Sequence, residues 1–185
     1  MMKDLLSYVI VHKAKVPHNI CNDIIDNFVD DWQKHTFYSH ANKERFHTDT
    51  DLSISHQTVP HYTELHHIVK NSLIEYIEKD IASFTLQGFD GFTDVRFNKY
   101  DKNTEMHLHA DRVQQMFDGE RKGIPTLSVV GLLNDNFTGG DFIMIDEKIE
   151  LGKGDILIFP STFMYPHKVT LIEEGTRYSF VSWVW

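Results

Sequence analysis

Hydrophobic residues in the first 90 positions recur every three or four residues, a spacing typical of amphipathic helices. One such stripe follows Asn19, a candidate N-cap, and consists of Ile20, Ile24, Phe28 and Trp32. A second stripe consists of Leu65, Val69, Leu73, Tyr76 and Ile77. A short apolar run from Ser7 to His12 comes before both and predicts a strand. The pattern therefore predicts one strand and two helices that pack on a sheet.

Residues 36–59, between the two helical stripes, have a different texture. They are polar, rich in His, Thr and Ser, and show no clear period. This pattern predicts a long loop, and long loops in compact domains are often functional.

From Asp94 onward the chain consists of short apolar runs separated by turn signals such as Thr138-Gly139-Gly140. The predicted strands are Val95–Tyr100, Met106–Asp111, Thr126–Leu133, Asp141–Asp146, Asp155–Pro160, Tyr165–Ile172 and Arg177–Trp185. Short strands at such intervals are typical of a sandwich or jelly roll. We therefore expect one α+β, mainly β domain over residues 1–185, in which 1–90 form helical support and a loop and 91–185 form the core.

Composition and charge narrow the classes of function. The chain has 185 residues, 41% of them hydrophobic, and 18 Lys+Arg against 27 Asp+Glu give a net charge of −9. That sign disfavours nucleic acid as a partner. The single cysteine, Cys21, cannot form an internal disulfide, which fits a reducing compartment. The apolar run Leu5–Val11 is too short to span a membrane, so we expect a cytoplasmic protein without a membrane partner.

Candidate metal ligands come from His109-Ala110-Asp111. Residues i and i+2 of a strand point to the same face, so these two side chains can share one metal ion. His167, on another predicted strand, is the candidate third ligand. Two His and one carboxylate form the facial triad of non-haem iron(II) oxygenases, although such a site also suits zinc. A solvated surface strand is the alternative interpretation of His109 and Asp111.

Two further residue patterns bear on this site. His47-Thr48-Asp49 repeats the His-x-Asp spacing, but it lies in the aperiodic loop, where no strand aligns its side chains. Arg177 and Ser179 begin the last predicted strand and share one face of it. If Arg177 points inward, its guanidinium requires an anionic partner; if it points outward, it pairs with a surface carboxylate.

Residues 95–185 resemble the 2-oxoglutarate and Fe(II)-dependent dioxygenases, and within them the prolyl 4-hydroxylase-like branch. The resemblance rests on an ordered set of motifs. They are Arg96-x-x-x-Tyr100 before His109-x-Asp111, Leu-Asn before Gly139 to Phe142, Lys153 to Ser161, His167-x-Val169 and Arg177-x-Ser179.

The resemblance implies a double-stranded β-helix (jelly-roll) core and a set of site residues. His109, Asp111 and His167 would bind Fe(II), while Arg177, Ser179 and Tyr100 would bind the distal carboxylate of 2-oxoglutarate. The co-substrates would be 2-oxoglutarate and O2, and ascorbate is left open as a further cofactor. Several relatives carry a Tyr where this chain has Leu132, so one hydroxyl contact is missing; the alternatives are weaker co-substrate binding and compensation by Tyr100 and Thr126. Trp183 is expected as a wall of the pocket or as an ordinary core aromatic.

The function implied by the resemblance is hydroxylation of an unactivated C–H bond, with 2-oxoglutarate decarboxylated to succinate and CO2. Peptidyl proline is the expected substrate, so the partner would be a peptide or protein. A free amino acid or another small metabolite is the alternative with the same chemistry. A jelly-roll binding module without turnover and a zinc hydrolase are alternatives of other classes, and repair of nucleic acid is disfavoured by charge. Residues 36–59 and the segment from Arg112 to Pro125 are the candidate lids.

Overall fold

The computed structural model describes residues 4–39, 41–81, 86, 88–111 and 125–185. A 3-10 helix (Leu5–Tyr8) and a π-helical turn (Tyr76–Asp80) accompany two α-helices, α1 (His18–Asp26) and α2 (Tyr62–Glu75). The first seven strands are β1 (Ile10–His12), β2 (Gln33–Lys34), β3 (Phe37–Ser39), β4 (Glu44–Phe46), β5 (Ser53–Ser55), β6 (Arg96–Tyr100) and β7 (Met106–His109). The remaining strands are β8 (Leu127–Leu132), β9 (Thr138–Gly139), β10 (Phe142–Met144), β11 (Glu147–Ile149), β12 (Ile156–Pro160), β13 (His167–Val169), β14 (Ile172–Glu174) and β15 (Arg177–Val184).

The strands form two main sheets. The larger sheet has the order β1-β12-β8-β15-β6-β5-β2, and the smaller has the order β11-β10-β13-β7. Within both sheets every pairing between neighbouring strands is antiparallel. The protein is therefore mainly β with a jelly-roll core, as the strand pattern predicted.

Two hydrophobic clusters lie on opposite faces of the larger sheet. One cluster packs α1 and α2 against the sheet and includes Ile24, Leu73, Phe97 and Phe180. The other lies on the opposite face, toward the smaller sheet, and includes Val130, Phe142 and Phe159. The helices therefore support the back of the sheet whose front carries the candidate site.

The first helix differs from its prediction at both ends. It begins at His18 after Pro17, not after an Asn19 cap, and it ends at Asp26 rather than near Trp32. Beyond it, the side-chain oxygen of Gln57 accepts a hydrogen bond from the backbone N–H of Val29 at 2.8 Å. Val29 therefore bonds to a residue distant in the sequence and not within a helix, while Phe28 and Trp32 still pack together.

The second helix confirms its predicted stripe: Leu65, Val69, Leu73, Tyr76 and Ile77 are all buried. The prediction of a loop over residues 36–59 is wrong, because these residues contain β3, β4 and β5. Strand β5 pairs with β6 in the larger sheet. Three-residue strands are too short to show a period of two, and their pairing depends on partners distant in the sequence.

Two strand predictions in the C-terminal half also change. The predicted strand Tyr165–Ile172 is divided into β13 and β14, which belong to different sheets. At the break, the backbone N–H of Asp141 donates to the Thr170 hydroxyl at 2.8 Å. Strand β7 ends at His109, so Asp111 lies just beyond the strand on which it was predicted.

Among the described residues, no helix combines the length and apolar character that crossing a membrane requires. The cytoplasmic location stays a prediction from the sequence.

Candidate metal centre and anion pocket

One cavity between the two sheets is lined by all six predicted site residues, namely Tyr100, His109, Asp111, His167, Arg177 and Ser179. The antiparallel register explains how distant residues meet there. His167 on β13 lies opposite His109 on β7, and Arg177 on β15 lies opposite Tyr100 on β6. The smaller sheet therefore contributes the two histidines and the larger sheet contributes the arginine.

The side chains of His109, Asp111 and His167 converge on one point. Each offers one ligand atom, and these atoms all lie within 4.8 Å of one another. Asp111 Oδ1 is 3.6 Å from His109 Nε2 and 3.9 Å from His167 Nε2. Such separations leave room for a metal ion that all three side chains contact.

Backbone carbonyls orient both imidazoles. Nδ1 of His109 lies 2.8 Å from the carbonyl oxygen of His107, and Nδ1 of His167 lies 3.0 Å from that of Tyr165. A carbonyl oxygen only accepts, so each Nδ1 carries the proton and each Nε2 lone pair faces the cavity. Burial lowers the pKa of His167 to about 4, although the negative charge of Asp111 opposes the shift. His167 is therefore neutral at pH 7, the state in which histidine binds a metal.

Asp111 is held in its charged form by its neighbours. Burial would raise its pKa, but the neighbouring imidazoles of His109 and His167 and the Ser128 hydroxyl outweigh that effect and leave the pKa lowered. The hydroxyl of Ser128 donates a hydrogen bond to Asp111 Oδ2, and the Ser161 hydroxyl contacts that of Ser128. Sequence analysis did not identify Ser128; the available signal was a polar residue in the otherwise apolar strand β8.

Arg177 is 1% exposed and points inward, which answers the question its position on the strand left open. Its Nη1 donates to Ser179 Oγ at 3.0 Å, and its Cζ lies 5.1 Å from the ring centroid of Tyr100. Its Nε is buried without a hydrogen-bond partner in the described part of the chain. Burial lowers the pKa of Arg177, and the interaction with Tyr100 offsets this effect only in part.

Gly140 makes space for that guanidinium. Its φ is +65°, and a Cβ at this position would lie 3.1 Å from Arg177 Cδ and 2.4 Å from Ile172 Cδ1. Both the backbone conformation and the close approach therefore require glycine here.

Of the other residues that the sequence suggested for the site, some line the cavity and some do not. His47 and Asp49 are exposed and lie outside the converging group. The hydroxyl of Thr126 donates to the Val184 carbonyl at 3.2 Å and does not line the cavity, so its predicted compensation for Leu132 is wrong. Trp183 does line the cavity. Of the candidate lid from Arg112 to Pro125, residues 112–124 lie outside the described residues.

The residues present fit iron(II) and 2-oxoglutarate. Two imidazoles and one carboxylate are the donor set of the facial triad, which leaves coordination positions open for other ligands. In the same cavity, the unpartnered Nε of Arg177 offers an N–H to an anionic oxygen.

Comparison with known proteins also indicates similarity to iron(II) and 2-oxoglutarate oxygenases. Residues 95–185 match the family described as the 2OG-Fe(II) oxygenase superfamily. A PKHD-type hydroxylase of Xylella fastidiosa is 30% identical over 100 residues, which cover 48% of this chain and 43% of that protein. A PKHD-type hydroxylase of Synechococcus elongatus is 31% identical over 94 residues, which cover 48% of this chain and 41% of that protein. The chain thus matches less than half the length of these relatives.

Solved structures share the fold over nearly the whole chain. A prolyl hydroxylase from Trichoplax adhaerens has a TM-score of 0.72 at 16% identity and covers 97% of this chain and 84% of its own. A Pseudomonas putida prolyl-4-hydroxylase has a TM-score of 0.63 at 17% identity, and the match covers 96% of this chain and 92% of that structure. The family match, the fold and the converging His, Asp and His side chains agree, and residues 95–185 of this chain are similar to the 2OG-Fe(II) oxygenase superfamily.

Proposed function

We propose that the chain is an Fe(II)- and 2-oxoglutarate-dependent dioxygenase that hydroxylates an unactivated C–H bond. The observation that carries the proposal is one cavity that holds both a His-Asp-His cluster and a buried arginine without a carboxylate partner among the described residues. A zinc hydrolase or an inert binding module would have no use for that arginine at such a position. Bound iron, with 2-oxoglutarate and O2, would supply the oxidising chemistry, with succinate and CO2 as products.

The three metal ligands would be His109, Asp111 and His167. Both imidazoles present Nε2 to the cavity because their Nδ1 atoms are held by backbone carbonyls. Ser128 donates to the outer oxygen of Asp111 and leaves Oδ1 facing the two histidines. This arrangement fixes the ligand atoms before metal binds, which reduces the ordering cost of binding.

The distal carboxylate of 2-oxoglutarate would bind Arg177, with Ser179 and Tyr100 beside it. The Nε of Arg177 is free to donate, and Ser179 Oγ already lies 3.0 Å from Nη1. Arginine presents parallel N–H groups that match a carboxylate, and a site closed to water strengthens this pairing. The apolar cavity lining, which includes Phe142, Val169 and Val181, would exclude water from the reacting atoms.

Peptidyl proline is the substrate that we propose. The support is the fold shared with prolyl hydroxylases, one of them described in complex with a peptide fragment, and the similarity to PKHD-type hydroxylases. A free amino acid or another small metabolite with the same chemistry is the alternative that the substrate test distinguishes.

The first experiment needs no substrate. Iron(II) and then 2-oxoglutarate are added to metal-free protein without oxygen, and the visible charge-transfer band of the chelate is recorded. We expect the band in the wild type, its loss in Asp111→Ala, and a much higher 2-oxoglutarate requirement in Arg177→Ala. Asp49→Ala is the matched control, because it removes the carboxylate of the exposed His-x-Asp motif. Absence of the band from folded, metal-binding wild type would overturn the proposal.

The second experiment identifies the substrate. Succinate release is measured with proline-containing peptides, free amino acids and other small metabolites, each with and without ascorbate. Stimulation by the peptides and a mass gain of one oxygen atom on proline are the expected results. Stimulation only by a free amino acid or a metabolite would retain the chemistry and refute the peptidyl-proline assignment.

A further inference from the structure

A second arginine, Arg96, faces the same cavity as Arg177. On the paired strands β6 and β15, Tyr100 lies opposite Arg177, whereas Arg96 lies opposite Val181. Arg96 is four residues from Tyr100, so at the rise of a strand these positions are about 13 Å apart. The backbone positions of the two arginines therefore lie apart along the strands that line the cavity.

Arg96 is held on two sides by its neighbours. Its Cζ lies 4.9 Å from the ring centroid of Trp183, and its Nε donates to Asn98 Oδ1 at 3.1 Å. Within the described ranges no carboxylate forms an ion pair with Arg96, and none of its terminal nitrogens has a protein hydrogen-bond partner. The guanidinium is thus fixed in orientation while both of its Nη groups remain able to donate.

The surroundings of Arg96 are poor in compensating negative charge. Burial lowers the pKa of Arg96, and the charges of Tyr100 and Asp111 oppose the shift only in part. Burial and then the positive charge of Arg96 lower the pKa of His35 to about 4, so that imidazole is neutral at pH 7. Burial and Arg96 likewise lower the pKa of His56. The oxygens of Asp111 face His109, His167 and Ser128, and within the described ranges Asp111 forms no ion pair with Arg96.

The two arginines differ in their access to solvent. Arg177 is 1% exposed, whereas the side chain of Arg96 is partly exposed. A small co-substrate enclosed by the protein suits the deeper arginine. The partly exposed Arg96 is accessible to a larger molecule from solvent.

We propose that Arg96 binds a carboxylate of the substrate and so selects substrates that carry a negative charge close to the carbon to be hydroxylated. This inference rests on the proposed dioxygenase function and adds a specificity-determining residue to it. The planar guanidinium and the carboxylate match in a two-bond contact, which a lysine or a neutral amide cannot reproduce. The carboxylate has two sources, an acidic side chain in a peptide or the free α-carboxylate of an amino acid.

The test compares carboxylates with their amides on protein that does not turn over. Protein loaded with Mn(II) and 2-oxoglutarate is titrated by calorimetry with acetylated, amidated proline peptides. Each peptide has Asp at one of the two positions on either side of proline, and a partner peptide has Asn there. L-proline and L-prolinamide form the second arm. We expect the carboxylate member of at least one pair to bind about tenfold more tightly, and the arm in which this occurs identifies the source.

Variants of Arg96 test whether this residue causes the preference for the carboxylate over the amide. In Arg96→Gln the ratio within the selected pair is expected to fall to about one, and Arg96→Lys is expected to retain part of it. Lys99→Gln is the matched control, because it removes a positive charge from the opposite face of the same strand, where Lys99 lies 3.1 Å from Asp101. Circular dichroism verifies that each variant is folded.

Several results would overturn the proposal. They are equal binding within every pair, no binding of any probe, or an unchanged preference in Arg96→Gln. A tenfold loss of 2-oxoglutarate affinity in Arg96→Gln would instead assign the residue to the co-substrate. Failure of the wild type to form the iron and 2-oxoglutarate band would refute the proposed function separately, since that assay contains no substrate probe.

Discussion

Arg177 and Tyr100 face each other across β15 and β6, with the guanidinium carbon 5.1 Å from the centroid of the phenol ring. Phe137 lies on the guanidinium as well, at 6.0 Å. Aromatic rings attract a cation by about 0.5–2 kcal/mol, which is less than the cost of burying an unpaired charge. Among the described residues Arg177 is therefore an uncompensated cation, and the proposed binding of 2-oxoglutarate to it would remove this penalty.

Replacing Arg177 by a neutral residue tests two effects separately: the effect of its buried charge on stability and its contribution to 2-oxoglutarate affinity. In Arg177→Met we expect the free energy of unfolding of the ligand-free protein to rise by about 1 kcal/mol, because the variant no longer buries an unpaired charge. We expect the affinity for 2-oxoglutarate to fall about 100-fold, because a charged hydrogen bond contributes about 1.5–3 kcal/mol. Denaturant unfolding and anaerobic titration measure the two quantities.

Lys99→Met is the control, because it removes a positive charge from the face of β6 that points away from the cavity. It should leave the 2-oxoglutarate affinity unchanged. A loss of stability above about 1 kcal/mol in Arg177→Met, together with normal 2-oxoglutarate binding, would contradict the assignment of Arg177.

Ser128 is expected to act as a positioning residue for Asp111. Because its hydroxyl donates to Asp111 Oδ2, Ser128→Ala should weaken Mn(II) or Fe(II) binding about 10- to 100-fold. Ser128→Thr, which keeps the hydroxyl, should restore most of the affinity. Calorimetric titration of the metal-free protein measures the effect.

Ser161→Ala is the matched control, since the Ser161 hydroxyl contacts Ser128. We expect it to change metal affinity less than Ser128→Ala does. If both alanine variants lower thermal stability equally and leave metal affinity unchanged, the serine pair has only a structural role.

Replacement of Gly140 is expected to lower both the stability of the protein and its affinity for 2-oxoglutarate. Gly140→Ala forces a side chain to adopt φ +65° and places its Cβ 2.4 Å from Ile172 Cδ1 and 3.1 Å from Arg177 Cδ. The conformation alone costs about 1–2 kcal/mol, and the contacts displace the guanidinium. We therefore expect a lower unfolding midpoint and weaker 2-oxoglutarate binding.

Gly152→Ala provides the comparison. Its φ is not in the left-handed region, and the nearest atom to a Cβ there is Asp155 Oδ2 at 3.5 Å. It should stay within about 0.5 kcal/mol of the wild type. If Gly140→Ala behaved like Gly152→Ala, the close packing around Arg177 would be refuted.

The sequence was most informative where side-chain chemistry and strand alternation act together. Chemistry and strand spacing predict His109, Asp111, His167 and Arg177 as candidate site residues, and the structure brings all four to one cavity. The helical stripe from Leu65 to Ile77 was also predicted, because its burial follows from local spacing.

Features that depend on distant partners were missed. Beyond the end of α1, Val29 donates a hydrogen bond to Gln57, which lies 28 residues further along the chain. The strand β5 exists because β6 pairs with it. The contact of Ser128 with Asp111 depends on two residues from different parts of the chain, and the sequence does not indicate it. Such long-range contacts leave no period in the sequence, so pattern analysis cannot detect them.

Asp155 gives a prediction for pH dependence away from the metal cluster. Its carboxylate accepts hydrogen bonds from the Ala14 N–H at 2.8 Å, the Gly152 N–H at 2.7 Å and Lys13 Nζ at 2.8 Å. Burial would raise the pKa of Asp155, but the Lys13, Gly152 and Ala14 hydrogen bonds outweigh burial and leave it lowered. The charged form therefore stabilises the fold at pH values above the unfolded pKa of about 3.9, and this contribution is lost as pH falls through the lower, folded pKa.

We accordingly expect Asp155→Asn to lower the free energy of unfolding by about 2–3 kcal/mol at pH 7, because the amide cannot accept all three hydrogen bonds. The difference from the wild type should shrink as pH falls below about 4, where the wild-type carboxylate begins to protonate. Urea unfolding of chelator-treated protein between pH 7 and pH 3 tests both statements. Asp141→Asn, which removes an exposed ion pair with Lys148, should cost less than about 0.5 kcal/mol. A difference between Asp155→Asn and wild type that grows in acid would have the wrong sign and would show that this carboxylate is not stabilised in its charged form.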